Sequence, residues 1–429
     1  MIMREMKDSG ISWVGEIPKK WSVKKIKHIS LVIGGNGFNV ELQGLESGDY
    51  PFCKASDISN AGKYLEKAAN YVTFDIVRDQ HYNIIPKGAI LFPKIGEAMK
   101  KNNRTICVLD CCTDNNCQAI VPFERKSGLF LYYILTCVNM GWFDNAGTIP
   151  CMNNRKFLNS KVPFPPLAEQ QKIADYLDSE CGKIDGLKAD IQAQIDTLEQ
   201  YKRSVITETV THGLNLSAPM KDSKVWYGQI SSEWKELKGK YVFKQRNDRG
   251  NNVCLQLLSP TQKYGVIPQD KYEELTGMNA VKLNDSTNYA LLKTIHKGDY
   301  CISLRSFQGG FEYSEYEGVV SPAYQVFYPI ITIADGYYKY LFKEKGFIDV
   351  MNSYTMSLRD GKNIAFDDFG DTFIPVPPLD EQQEIADYLD NKCAEIEQII
   401  ADKKSQIETL DGYKKSLIYE YVTGKKEVV

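Results

Sequence analysis

Histidine is scarce in this chain: only His28, His81, His212 and His296 occur among 429 residues, widely scattered, which leaves little material for imidazole-based catalysis. No G-x-x-x-x-G-K-[ST] segment is present, so nucleotide binding through a P-loop has no support. An excess of charge is missing as well. Lysine plus arginine number 52 against 55 acidic residues, a net of −3, so the basic balance of a small nucleic-acid-binding domain is absent and any polyanion contact must use local patches. Long apolar runs are lacking too. The most apolar stretch, Leu129 to Val138, is far shorter than the roughly 20 residues that cross a bilayer; it reads as a core helix, and no membrane partner is expected. Met1 to Trp13 is charged without an apolar leader core, and the eleven cysteines are odd in number, which together point to reduced thiols in a cytoplasmic protein. Cys107, Cys111, Cys112 and Cys117 are the densest cysteine cluster. Their C-x3-C-C-x4-C spacing matches no recognised zinc pattern, so thiols are expected there, with no metal and no cofactor.

What is present is a folded, duplicated chain. Hydrophobic residues at 43% and charged residues at 25% are a globular balance, and at roughly 150 residues per domain the length predicts two or three domains. Residues 162–212, VPFPPLAEQQKIADYLDSECGKIDGLKADIQAQIDTLEQYKRSVITETVTH, align without a gap with residues 374–424, IPVPPLDEQQEIADYLDNKCAEIEQIIADKKSQIETLDGYKKSLIYEYVTG. Pro163 and Pro375, Cys181 and Cys393, and Tyr201 and Tyr413 all differ by 212, and roughly half the positions are identical. The duplication extends upstream, where Trp13, Gly15 and Trp21 answer Trp226, Gly228 and Trp234. The expected division is a globular domain over 1–161, a helix over 162–213, a second globular domain over 214–373 and a second helix over 374–429.

Pro165-Pro166 and Pro377-Pro378 suit a helix start, and Glu169 and Asp380-Glu381 then fall in the first turn, where the macrodipole favours negative charge. Downstream, Ile173, Leu177, Cys181, Ile184, Ile191, Ile195, Leu198 and Val205 recur at steps of three, four or seven, as do Ile385, Leu389, Cys393, Ile396, Ile407, Leu410 and Leu417. This is a narrow coiled-coil seam. About 40 helical residues span on the order of 60 Å, longer than a small domain is wide, so each helix needs a partner, and its own duplicate is the nearest.

The segments before each helix carry short β-branched or aromatic runs, such as Ala89–Phe92, Ile106–Leu109, Tyr300–Leu304 and Tyr324–Tyr328, broken by Gly, Asn, Asp and Pro; these read as strands. Each half adds one aromatic helix-like stretch, Leu129–Leu135 and Tyr337–Phe342. The fold class is therefore α+β: a tandem duplication of a globular domain followed by a long helix, the two helices pairing antiparallel. Matched scaffolds with diverged loops are what two readers of different ligands need.

P-x-P-P-L-x-E-Q-Q-x-I-A-D-Y-L-D with the later T-L-x-x-Y-K-x-S-x-I, in two copies, resembles the specificity subunit of type I restriction-modification enzymes, and the resemblance covers the whole chain. Gly15-Glu16-Ile17-Pro18 with Trp21, Lys54-Ala55-Ser56-Asp57-Ile58, Ile85–Leu91, Lys297–Tyr300 and Arg305–Gly310 are similar to that family's target-recognition domains. The resemblance implies two such domains, each reading one half of a bipartite site in double-stranded DNA. It also implies a helical spacer that docks two methyltransferase subunits and, through them, two ATP-driven restriction subunits. The residues expected at that docking surface are Glu169, Gln170 and Tyr176, with Glu381, Gln382 and Tyr388.

A self-sufficient DNA methyltransferase or nuclease, or a plain coiled-coil adaptor, is the alternative. Adenine methylation needs a glycine-rich turn for the methyl donor and an [N/D/S]-P-P-[Y/F] loop to hold the extruded base. Ser321-Pro322-Ala323-Tyr324 departs from that loop at its third position and reads as a turn entering a strand, while Gly34-Gly35-Asn36-Gly37 reads as a loop. The chain is thus expected not to be an enzyme, and an adaptor would need only the helices. DNA contacts call for Arg and Lys mixed with Asn, Gln and Ser in glycine-punctuated loops. In the first domain that loop is Lys94 to Arg104, with Lys94, Lys100, Lys101, Asn102, Asn103 and Arg104. In the second the counterparts are Arg305, Ser306 and Gln308, with Arg359 and Lys362. Arg305 and Arg359 suit a guanine, Gln308, Asn102 and Asn103 an adenine. Lys19, Lys20, Lys24, Lys25 and Lys27 form a further basic run that contacts the DNA backbone or simply faces water.

Overall fold

A computed structural model of the chain describes residues 4–145, 147–215, 217–224, 228–249, 255–278, 289–302, 310–354 and 364–428. It divides into two compact units, one of Met1–Ile191 with Ser405–Val429 and one of Gln192–Lys404. The boundary between the units crosses both long helices near their middles.

In the first unit a five-stranded sheet runs in the order Ser30–Gly34, Cys117–Pro122, Ile90–Pro93, Thr105–Cys107, Tyr64–Leu65. All pairs are antiparallel except the last, where Tyr64–Leu65 runs parallel to Thr105–Cys107. The unbroken apolar run around Ile90 reflects burial of both faces, since successive side chains point to opposite sides. Ile90, Phe92 and Ile120 pack with the helix Gly128–Thr136 and with Ile173, Leu177 and Cys181. Leu91, Ala119 and Cys117 face a second cluster holding Cys53, Cys107 and Cys111.

The second unit repeats the plan. Its four-stranded sheet runs Phe243–Arg246, Gln325–Pro329, Tyr300–Ile302, Phe311–Tyr313, the chain order of the first four strands above, with no counterpart of Tyr64–Leu65 among the described residues. One face is densely aromatic: Phe243, Tyr300, Phe311 and Phe327 pack with Tyr338, Phe342, Phe347 and Phe369. Many of its rings meet edge to face, as Phe311 and Phe347 do at 4.9 Å between centroids, while Tyr300 and Phe327 stack. Val326 and Cys301 face the other way. Each unit also has a two-stranded ribbon that delivers the chain to its long helix, Ser22–Lys25 with Lys161–Phe164 in one and Lys235–Lys238 with Phe373–Val376 in the other.

The long helices are Leu167–His212, 46 residues, and Leu379–Val422, 44 residues. Gly213 (φ +81°) and Gly424 (φ +73°) follow them in the left-handed conformation that glycine tolerates. A Cβ on Gly424 would lie 2.4 Å from the Pro18 ring and 3.0 Å from Trp21, and one on Gly213 would lie 3.0 Å from Trp234, so close packing on these tryptophans demands glycine as well. Within the first unit, Lys414 pairs with Asp185 at 2.7 Å, Lys188 with Asp411, and the Tyr176 and Tyr421 rings lie 4.6 Å apart. Within the second, Lys202 pairs with Glu397, and Lys403 donates to Gln194. Residue numbers fall on one helix as they rise on the other, so the pairing is antiparallel. The ion pairs Asp185–Lys414 and Glu397–Lys202 occupy the same positions of the repeat. The seam is deepest where a domain closes over it: Leu177 and Leu389 are fully buried, while Ile191, Leu198, Ile407 and Leu410 are partly exposed.

Candidate nucleic-acid interface

The first-domain loop leaves the strand Ile90–Pro93 and enters Thr105–Cys107. It is held by its backbone, with Lys94 N–H donating to Asn116 O (2.7 Å), Met152 N–H to Lys94 O (2.9 Å) and Gly96 N–H to Pro150 O (2.7 Å). Buried Met99 anchors the short helix Glu97–Lys100 and leaves Lys100 and Lys101 exposed. Lys94 and Asn103 are half-buried. Asn102 and Arg104 do other work. Asn102, in the left-handed conformation (φ +60°), accepts from Met140 N–H (3.0 Å) and from Arg104 (2.9 Å). Arg104 is 6% exposed and donates to the Leu135 and Val138 carbonyls at the end of the helix Gly128–Thr136. Burial lowers its pKa to about 10, which still leaves a cation at neutral pH facing helix-terminal carbonyls that favour it. Arg104 thus caps the end of this helix from inside, and Asn102 braces it.

In the second domain, Arg305, Ser306 and Gln308 fall in 303–309 and Arg359 and Lys362 in 355–363, outside the described residues, as does Trp226. Their flanks are informative. Residues 303–310 join Tyr300–Ile302 to Phe311–Tyr313, the strands equivalent to those joined by Lys94–Arg104. The loop Lys94–Arg104 and the loop that carries Arg305, Ser306 and Gln308 thus occupy one topological position in the two domains, while Arg359 and Lys362 fall between the helices Lys345–Ser353 and Phe366–Asp371.

The expected docking residues separate by burial. Gln170 is 1% exposed and donates to Pro165 O (2.8 Å). Gln382 is 2% exposed, donates to Pro377 O (2.8 Å) and accepts from Ala334 N–H (2.9 Å). Both brace the helix start from inside and present no surface to a partner. Glu169 pairs with Arg4, and Glu381 accepts from Trp234 Nε1 at 2.8 Å. Tyr176 is half-buried, its pKa raised to about 12 by a hydrogen bond with Tyr421. Tyr388 is exposed. A link that the sequence reading did not single out joins each domain to its helix: Tyr133 donates to Asp178 at 3.1 Å and Tyr340 to Asp390 at 2.6 Å, the final Asp of each A-D-Y-L-D.

Cys107, Cys111, Cys112 and Cys117 are buried, and their thiols are raised well above the usual range: Cys107 chiefly by its hydrogen bond with Cys111, Cys111, against the lowering hydrogen bond with Cys107, by one with Cys53 and by burial, and Cys112 and Cys117 chiefly by burial. Among the described residues no group of three His, Cys, Asp or Glu side chains is arranged to hold a metal ion, and no helix is long and apolar enough to cross a membrane. Ser321 to Tyr324 is a turn, closed by Tyr324 N–H to Ser321 O (3.1 Å), leading into Gln325–Pro329.

Two copies of the type I restriction modification DNA specificity domain match the chain, at residues 18–197 and 230–409. The MjaIX specificity subunit of Methanocaldococcus jannaschii is 30% identical over 173 residues, a match spanning only 38% of each chain. A putative type I restriction enzyme MjaX specificity subunit from the same organism is 23% identical over 435 residues, covering 97% of this chain and 96% of its own. Among solved structures, a chain from a type I restriction-modification system, determined to explain its complex assembly and conformational transition, matches with a TM-score of 0.66 at 13% identity, over 96% of this chain and 99% of that one. With the family's domain present twice over most of its length, the chain belongs to the type I restriction-modification specificity subunits and carries two target-recognition domains.

Proposed function

We propose that this subunit reads a bipartite site in double-stranded DNA, one half-site per target-recognition domain, and lends that specificity to methyltransferase and restriction subunits without performing chemistry itself. The observation that carries the reading is the duplication of one sheet order with different residues in the same connecting loop. Scaffolds that share this sheet order can dock equivalently on duplex DNA, and different loops then read different bases. Lys94, Lys100, Lys101 and Asn103 are the first-domain candidates for contact, with Arg305, Ser306, Gln308, Arg359 and Lys362 in the second.

The long helices fix the separation of the half-sites and carry the docking surface. Exposed apolar side chains recur at equivalent positions of the two helices, Leu187 with Ile399 and Tyr201 with Tyr413, each between 38% and 56% exposed. One surface repeated twice fits two copies of one partner, here two methyltransferase subunits in the cytoplasm, with restriction translocases attached through them. The test is methylome sequencing of cells carrying this chain with its methyltransferase partner. One gapped motif, absent when either component is omitted, is the expected result. Methyl transfer by the pure chain alone, or a single ungapped motif, would contradict the proposal.

A further inference from the structure

The basic run noted near the N-terminus acquires a second half in the fold. Strand Ser22–Lys25 pairs antiparallel with Lys161–Phe164, placing Lys25 directly opposite Lys161. Ile26 N–H donates to Ser160 O (3.1 Å), and the short helix Asn154–Asn159 turns Phe157 fully inward while leaving Arg155 and Lys156 exposed. Two segments more than a hundred residues apart, 22–30 and 153–161, thus bring together Lys24, Lys25, Lys27, Arg155, Lys156 and Lys161 with no aspartate or glutamate in either. Among the described residues no carboxylate lies within ion-pairing distance of any of the six. Two lysines facing each other across a strand pair destabilise it unless something neutralises them.

The equivalent ribbon of the second unit is compensated. There Lys238 and the adjoining Lys240 both reach Asp371, at 3.2 and 2.8 Å, and Lys238, at the position of Lys25, lies opposite Phe373 rather than another cation. The neighbouring helix Phe366–Asp371 carries Asp367, Asp368 and Asp371 where the first unit has Arg155, Lys156 and Asn159. The two domains share this scaffold but not its charge, so scaffold stability does not account for the cations.

We propose that the ribbon joining the first recognition domain to its helix binds the sugar-phosphate backbone of duplex DNA, through Lys25, Lys27, Arg155, Lys156 and Lys161, and that the second domain lacks this contact. The assignment rests on the DNA-reading function above and adds to it a sequence-independent, one-sided grip. Such a grip raises affinity and salt sensitivity but carries no base information.

The assay is the affinity of the assembled complex for a duplex carrying its methylation motif, measured by fluorescence anisotropy over a range of NaCl concentrations. The variant K27Q/R155Q/K156Q/K161Q changes exposed side chains only. It should lower the slope of log affinity against log salt by about 3 to 4, weaken binding roughly tenfold or more at low salt, and leave the methylated motif unchanged. K235Q/K240Q, on the compensated ribbon and the turn that follows it, should leave the slope as it is. An unchanged slope in the first variant, or an equal loss in both, would overturn the assignment. Lost subunit assembly with intact DNA affinity would also overturn it, by assigning the ribbon to an acidic protein face. A wild-type complex with no affinity for the duplex would instead refute the DNA-reading function itself.

Discussion

If the long helices measure the DNA site, lengthening them together should lengthen the gap in the recognised motif. The first helix, 46 residues, spans about 69 Å. Four residues inserted after Ile191 add about 6 Å and close to one full turn, which nearly preserves the facing of the seam. Placed in that helix alone, they displace Lys202 and Gln194 from Glu397 and Lys403 while Asp185 and Lys188 stay opposite Lys414 and Asp411. The exposed ion pair so lost, Lys202–Glu397, is worth only about 0.2–1 kcal/mol. The apolar seam at Ile195 and Leu198 shifts with them, so the single insertion should be markedly less stable. A matched insertion of four residues after Lys404 restores every pairing, because both pairs of each unit lie on their own side of the two insertion points. Duplex DNA rises 3.4 Å per base pair, so the doubly extended subunit should recognise the same half-sites with one or two more unspecified base pairs between them. Methylome sequencing reads this directly. An active double-insertion variant with an unchanged gap would show that the helices join the domains without measuring the site.

Two further outcomes follow from the buried polar groups. Gln382→Ala should cost about 1–3 kcal/mol in chemical unfolding, because it orphans the Ala334 N–H as well as the Pro377 carbonyl, whereas Gln170→Ala, which orphans only the Pro165 carbonyl, should cost less; equal costs would contradict the bracing roles. Glu312 is buried beside Lys343, and burial raises its pKa from 4.5 to about 7. The folded state then holds this proton more tightly than the unfolded chain, so its contribution is fully present below about pH 4.5 and is lost as pH rises through 7, by up to ~3 kcal/mol. Glu312→Gln should remove that dependence, so that its melting temperature gains on the wild type between pH 5 and pH 8; parallel curves would refute the burial argument.

The duplication was legible because the two helices are under the same packing demands in each copy and so keep the same residues. The repeated sheet order was not, because strands need only apolar residues of suitable shape: Ile90-Leu91-Phe92 and Tyr300-Cys301-Ile302 share a place in the sheet without matching at any position. Repetition has more than one cause. Gln170 and Gln382 recur because they brace the helix start from inside, and identity between copies marks packing as readily as docking. Arg104 looked like part of a charged loop, since nothing local reveals that the helix Gly128–Thr136 ends beside it and offers its carbonyls. The unpaired cations of 22–30 and 153–161 had to be seen together, and only the register opposing Lys25 to Lys161 joins them.

The central claim is that each recognition domain reads its own half-site, and an exchange of one domain tests it most directly. Residues 22–161 would be replaced by the matching segment of a relative with a different motif, leaving both long helices intact, and the methylome would be sequenced with the methyltransferase partner present. The account predicts a hybrid motif, with one half taken from the donor and the other half and the gap unchanged. A motif altered in both halves would contradict it, because the two domains would then be reading the site jointly.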